Sequence, residues 1–197
     1  MTDSRFAQST YVIRRKVLKL VGGAFHVFDA SGTVIMYSQM KAFKLREDIR
    51  LFTAEDMQTE LLRIQARQII DFSAAYDVVD SQTGEKIGAL KRKGLKSIVR
   101  DHWIIMDAVD GEVGGVLEDS AGLAILRRLI GGLGSVVAPQ KYHFDVGGRS
   151  VGTGSQSRNP FVYKVRIDLE PGAGGALDPR LAIATGLLLA AIEGKQG

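Results

Sequence analysis

The densest run of one charge lies between Lys86 and Arg100 (KIGALKRKGLKSIVR), where Lys86, Lys91, Arg92, Lys93, Lys96 and Arg100 occur with no acidic residue among them. A run of this kind captures anions. Near an anionic membrane surface each Lys or Arg contributes ~1 kcal/mol. Lys91, Arg92, Lys93, Lys96 and Arg100 are therefore the candidate residues for holding phospholipid or inositol phosphate headgroups. The triplet Lys91-Arg92-Lys93 falls where a hairpin ends, which predicts three charges together on one loop. Arg14-Arg15-Lys16 and Lys41, Lys44 and Arg46 extend the patch if the fold brings them alongside. A solvated basic loop accounts for the same residues, and nonspecific nucleic-acid binding would draw on the same charges.

Other chemistry finds little support. Asp107, Asp110 and Glu112 flank Gly111, but their spacing does not give oxygen ligands at alternate positions with a closing Glu at the twelfth, as a calcium loop requires; turn chemistry explains Asp107 and Gly111. His26, His102 and His143 come without a spaced carboxylate, and the chain has no cysteine. Disulfides, thiolate metal sites, cysteine nucleophiles and S-acylation are thus excluded. No G-x-S-x-G elbow is present. The glycines of Gly152-Thr-Gly-Ser155 and Gly22-Gly23 do not lead from a strand into a helix, as a phosphate loop must. The reading is a non-enzymatic protein with no metal and no cofactor.

The elements that would position the basic residues are strands. A chain of 197 residues with 45% hydrophobic and 24% charged residues and a net charge of +4 has the composition of one ordinary globular domain. The first ten residues read as a flexible N-terminus with no apolar signal segment, which predicts a cytoplasmic location, peripheral at a membrane if headgroups are bound. From Tyr11 onward, β-branched and aromatic runs alternate with Gly turns: Tyr11–Leu20, Ala24–Asp29, Thr33–Tyr37 and Phe43–Thr53. Between Thr53 and Ile70 helix formers compete with a period of two at Leu62, Ile64 and Ala66, and periodicity decides for a strand over Glu60–Arg67. Units beginning at Phe25, Tyr76, Trp103 and Tyr142 then repeat one pattern: an aromatic, β-formers, Asp, a Gly turn, a β-former and Gly. Their irregular spacing argues for a meander of hairpins and against a solenoid. Asp119-Ser120 caps a short amphipathic surface helix over Ala121–Ile130, and Phe161–Leu169 is the last strand.

The final segment, DPRLAIATGLLLAAIE, starts with Asp178 as N-cap and Pro179 at the first helical position, and Gly194 stops it. From Leu181 to Ile192 only Thr185 and Gly186 are not apolar. A helix with no polar face is buried all round, and twelve residues are too few for a bilayer, which needs about 20. About twelve short strands must close or leave edges, and so wide a barrel needs a filling. The sequence thus predicts a closed antiparallel β-barrel of about twelve strands around a buried apolar C-terminal helix, residues 178–194. Ala182, Gly186 and Ala190, spaced i, i+4, i+8, form the stripe where the wall comes closest.

Three stretches, YDVVDSQTGEKIGALKRKG (Tyr76–Gly94), DHWIIMDAVDGEVGGVLEDS (Asp101–Ser120) and LDPRLAIATGLLLAAIEG (Leu177–Gly194), resemble the tubby C-terminal-like superfamily, which includes phospholipid scramblases and plant LURP-one-related proteins. The resemblance runs from about Tyr11 onward and is most specific in the apolar C-terminal helix. It implies a twelve-stranded barrel around that helix. By analogy with tubby proteins it also implies binding of phosphoinositide headgroups through surface Lys and Arg. The Pro-rich arm and Cys-rich acylation segment of scramblases have no counterpart here. A scaffold binding a protein or nucleic acid is the other class of function left open.

Overall fold

Residues that alternate in polarity with period two bury one face of a strand, and in this chain those faces turn inward around a common axis. The computed structural model describes residues 3–16, 24–39, 48–67, 75–93, 102–119, 140–158 and 162–192. They form β1 (Thr10–Lys16), β2 (Ala24–Phe28), β3 (Val34–Gln39), β4 (Asp48–Phe52), β5 (Glu60–Ala66), β6 (Ala75–Asp80), β7 (Lys86–Arg92), β8 (His102–Met106), β9 (Glu112–Glu118), β10 (Gln140–Val146), β11 (Arg149–Arg158), β12 (Val162–Leu169) and the helix α1 (Pro179–Ile192). Each strand pairs antiparallel with its sequence neighbours, and β1 pairs with both β2 and β12, so the sheet closes into a barrel.

The ambiguous stretch is a strand. In β5, Leu62 and Ile64 are fully buried while Gln65 is exposed, so burial on a pleated surface outweighs helix propensity. The expected strand from Phe43 begins at Asp48 among the described residues. Phe43, Lys41, Lys44 and Arg46, the Gly22-Gly23 turn and the expected helix Ala121–Ile130 lie outside them.

The repeated units have a physical explanation. Phe25, Tyr76, Trp103 and Tyr142 all point inward and are at most 2% exposed, each within three residues of the start of its strand. They form an aromatic layer inside one end of the barrel. The acidic residue that follows in three of the units caps its turn. Asp29 accepts from Thr33 N–H, Asp80 from Gln82 N–H and Asp107 from Gly111 N–H. Gly32 and Gly84 take the positive φ those turns need, at 85° and 75°.

Helix α1 fills the lumen. Asp178 Oδ1 accepts from Arg180 N–H at 2.9 Å as the N-cap, and every residue from Leu181 to Ala191 is buried. The helix's one hydroxyl, on Thr185, donates to Leu181 O at 2.9 Å. The helix packs on β12 and β1 along one side and on β6 and β7 along the other. Arg180 Nη1 also reaches Asp80 Oδ2 at 2.6 Å, which ties the start of the helix to the β6–β7 turn.

Candidate functional site at the barrel rim

An antiparallel meander puts alternate connections at opposite ends. The β2–β3, β4–β5, β6–β7, β8–β9 and β10–β11 turns, with the link from β12 to α1, sit at the end where the helix begins. These turns and the link carry Asp29, Glu55, Asp56, Glu85, Asp107, Asp110, Glu170 and Asp178, and no Lys or Arg. The strand ends at the opposite rim, where the helix finishes, carry cations: Arg14, Arg15 and Lys16 close β1, Lys91 and Arg92 close β7, and Lys141 and Lys164 lie near the starts of β10 and β12.

Neutralisation follows this division only in part, since Arg67, just past the end of β5 at the rim, is paired. Arg50 bonds Asp48 and Glu60, and Arg63 bonds Glu60. Arg67 and Lys86 share Asp77 and Asp110, and Arg166 bonds Asp168 at 2.7 Å. Hydrogen bonds from Lys86 and then Arg67 hold the Asp110 carboxyl below the usual carboxylate range. Among the described residues, Arg14, Lys91, Lys93, Lys141 and Lys164 instead have no carboxylate partner. Arg149 is also without one, but stands at the turn end.

Register fixes how these cations are arranged. Arg14 and Lys164 are directly opposed on β1 and β12 and both face outward, with the Arg14 guanidinium 4.4 Å from the centroid of the Phe28 ring. Like charges directly opposed across a sheet are destabilising. Lys141 stands on the same outer wall, in register through Ser155 with Arg166 of β12. Lys91 lies on β7 and Lys93 just past its end, six strands from β1 in either direction. The cations therefore ring the rim and do not fill one wall.

The expected loop triplet is corrected in this arrangement. Strand β7 continues through Arg92, and its period of two turns successive side chains to opposite faces. Lys91 is exposed, Arg92 faces inward in register with buried Trp103, and Lys93 is exposed again. The three charges do not share a loop. Lys96 and Arg100 lie outside the described residues. Arg14 is on the far side of the barrel from Lys91, so it extends the rim and not the triplet.

His102 stands beside the β7 end of this rim. The Lys93 N–H donates to His102 O at 2.9 Å. Burial first, and then the Lys93 charge, push the His102 imidazole below its ordinary value. His26 pairs with Glu55 at 2.6 Å and His143 with Asp119, on strands four apart, so these two do not converge, whereas His102 and His143 both stand in register with Leu117 of β9. Among the described residues no group of His, Asp and Glu could hold a metal ion, and no helix is long and apolar enough to cross a membrane.

Sequence reasoning missed the pairing of Arg14 with Lys164 and the isolation of Lys141. Arg14 was among the named cations but Lys141 and Lys164 were not, and the proximity of Arg14 to Lys164 depends on the register of strands more than 140 positions apart in sequence. No family model, curated protein or solved structure matches the chain.

Proposed function

We propose that this protein is a tubby-like, scramblase-like barrel that binds anionic phospholipid or phosphoinositide headgroups with the rim where α1 ends. The observation that carries the reading is the row of rim cations without carboxylate partners, above all the opposed Arg14 and Lys164. A sheet gains nothing in stability from that opposition, and an anionic surface would neutralise it. A twelve-stranded barrel closed around an apolar helix is also what the tubby-like resemblance implies. The acidic turns at the other end would be repelled by the same surface, so the barrel docks end-on at the cytoplasmic face of a membrane.

Co-sedimentation with phosphatidylcholine vesicles, with and without phosphatidylserine, tests the reading. Binding is expected only with the anionic lipid and falls as salt rises. Absence of binding at low salt, or displacement from vesicles by DNA at equal charge, would move the assignment to a scaffold for protein or nucleic acid, the second reading of the same charges.

A further inference from the structure

One stretch of the outer wall, across β1 to β4, differs from the rest. Of the described Phe, Tyr and Trp side chains, only Phe28, Tyr37 and Phe52 stand outside the barrel core, and all three fall on this stretch. Register gathers them. Arg14, His26, Tyr37 and Phe52 are successive partners across β1, β2, β3 and β4. One pleat away, Phe28 is paired with Val34, which is 46% exposed. The rings touch: the His26 centroid lies 5.2 Å from that of Tyr37, edge to face, and 6.3 Å from that of Phe28. The Arg14 guanidinium covers Phe28 at 4.4 Å.

Charge changes sign along this row. Lys164 and Arg14, without carboxylate partners, stand on its β12–β1 side. Glu55, from the β4–β5 turn, reaches over the other side, 2.6 Å from His26 and with its side chain 71% exposed. Burial first, and then the Glu55 charge, push the Tyr37 hydroxyl up.

Single apolar residues on a surface need no explanation, but aromatic rings gathered beside an Arg have the makeup of an interface centre. A membrane or nucleic-acid strand that is anionic throughout would be attracted by Arg14 and repelled by Glu55. A second copy of the same wall meets both. Turned by a two-fold axis through β2, it lays its cations against Glu55 of the first copy and receives the reverse contact, with the rings between.

We propose that two copies of this chain associate through the outer wall of β1 to β4, as an isologous dimer in which the aromatic rows pack together and Arg14 of each copy faces Glu55 of the other.

Sedimentation equilibrium of the full chain at rising concentration tests it, with cooperative urea unfolding as the check that each variant is folded. The wild type is expected to pass from monomer to dimer and no further. Phe28→Ala should weaken association about tenfold or more, as loss of an interface anchor does. Arg14→Glu and Glu55→Arg should each weaken it alone, because the facing charges become alike. Mixed in equal amounts, those two variants should recover dimer at wild-type strength or better, since both contacts are again between opposite charges. A wild type that stays monomeric, growth beyond the dimer, unchanged association of Phe28→Ala, or a mixture no stronger than its components would each overturn the proposal. Arg14 also belongs to the rim, so phosphatidylserine vesicles compete with the second copy for it. Dimers that form while no vesicle binding is seen would sink the rim reading alone.

Discussion

Gly186 of the central helix lies so close to Ile13 of the wall that a methyl group there would stand 2.5 Å from Ile13 Cδ1 and 2.7 Å from Ile167 Cδ1. Both isoleucines are fully buried, so neither has free space to move into. The absence of a side chain sets how closely α1 seats against β1 and β12.

Gly186→Ala therefore gains about 1 kcal/mol of helix propensity but overpacks by about 1–3 kcal/mol, and we expect a net loss in urea unfolding. Gly186→Leu should lose more. Ile13→Val removes the methyl that collides, so the double variant with Gly186→Ala should recover part of the loss as a favourable coupling in a double-mutant cycle.

Deletion of residues 178–197 should prevent folding, because it removes the helix that covers the inward faces of β1, β6, β7 and β12. A truncated chain with a cooperative unfolding transition and the circular dichroism of a sheet would refute the plug.

The ion pair between Arg180 and Asp80, at 2.6 Å with both side chains 18% exposed, holds the entry of the helix against the β6–β7 turn. Arg180→Met should cost about 1.5–3 kcal/mol, the range for a hydrogen bond to a charged group. The loss should change little between low and moderate salt, since the pair is mostly shielded from solvent.

At the rim, replacing Lys141 or Lys164 by Ala should weaken binding to anionic vesicles about fivefold per charge. Lys86→Ala should change it little, because Lys86 is already neutralised by Asp77 and Asp110. Equal effects at paired and unpaired positions would show that net charge alone, and not the rim, drives any association.

Lys93→Ala should raise the His102 pKa only part of the way to its ordinary value, because burial is the larger cause of the depression. NMR titration reads this directly. The sign for stability follows from linkage. With the folded-state value lowered, the unfolded chain takes up the proton first as pH falls below ~6.5. Stability should drop through that window and level off below the folded-state value. His102→Asn should flatten the drop, seen as urea midpoints measured across pH.

Much of the barrel was legible before any coordinates because its signals are local. Alternation at Leu62 and Ile64 identifies β5 against its own helix propensity, and a helix with no polar face from Leu181 to Ala191 can only be buried. Glycine at position 186 marks the contact stripe for the same reason, since i, i+4 spacing is a property of the helix alone. The binding residues were less legible. The sequence showed a basic triplet at Lys91-Arg92-Lys93 but not that β7 runs on through Arg92, so that one charge turns inward while its neighbours stay in solvent.

The amino-acid sequence by itself determined that strands with one apolar face close around an apolar helix, because periodicity and composition act within a few residues. Only the tertiary structure decided which cations stand without partners. The opposition of Arg14 to Lys164 and the pairing of Lys86 with Asp110 both follow from strand register and barrel closure. Those join residues distant in the chain, and a charge carries no mark of the neighbour that closure will give it.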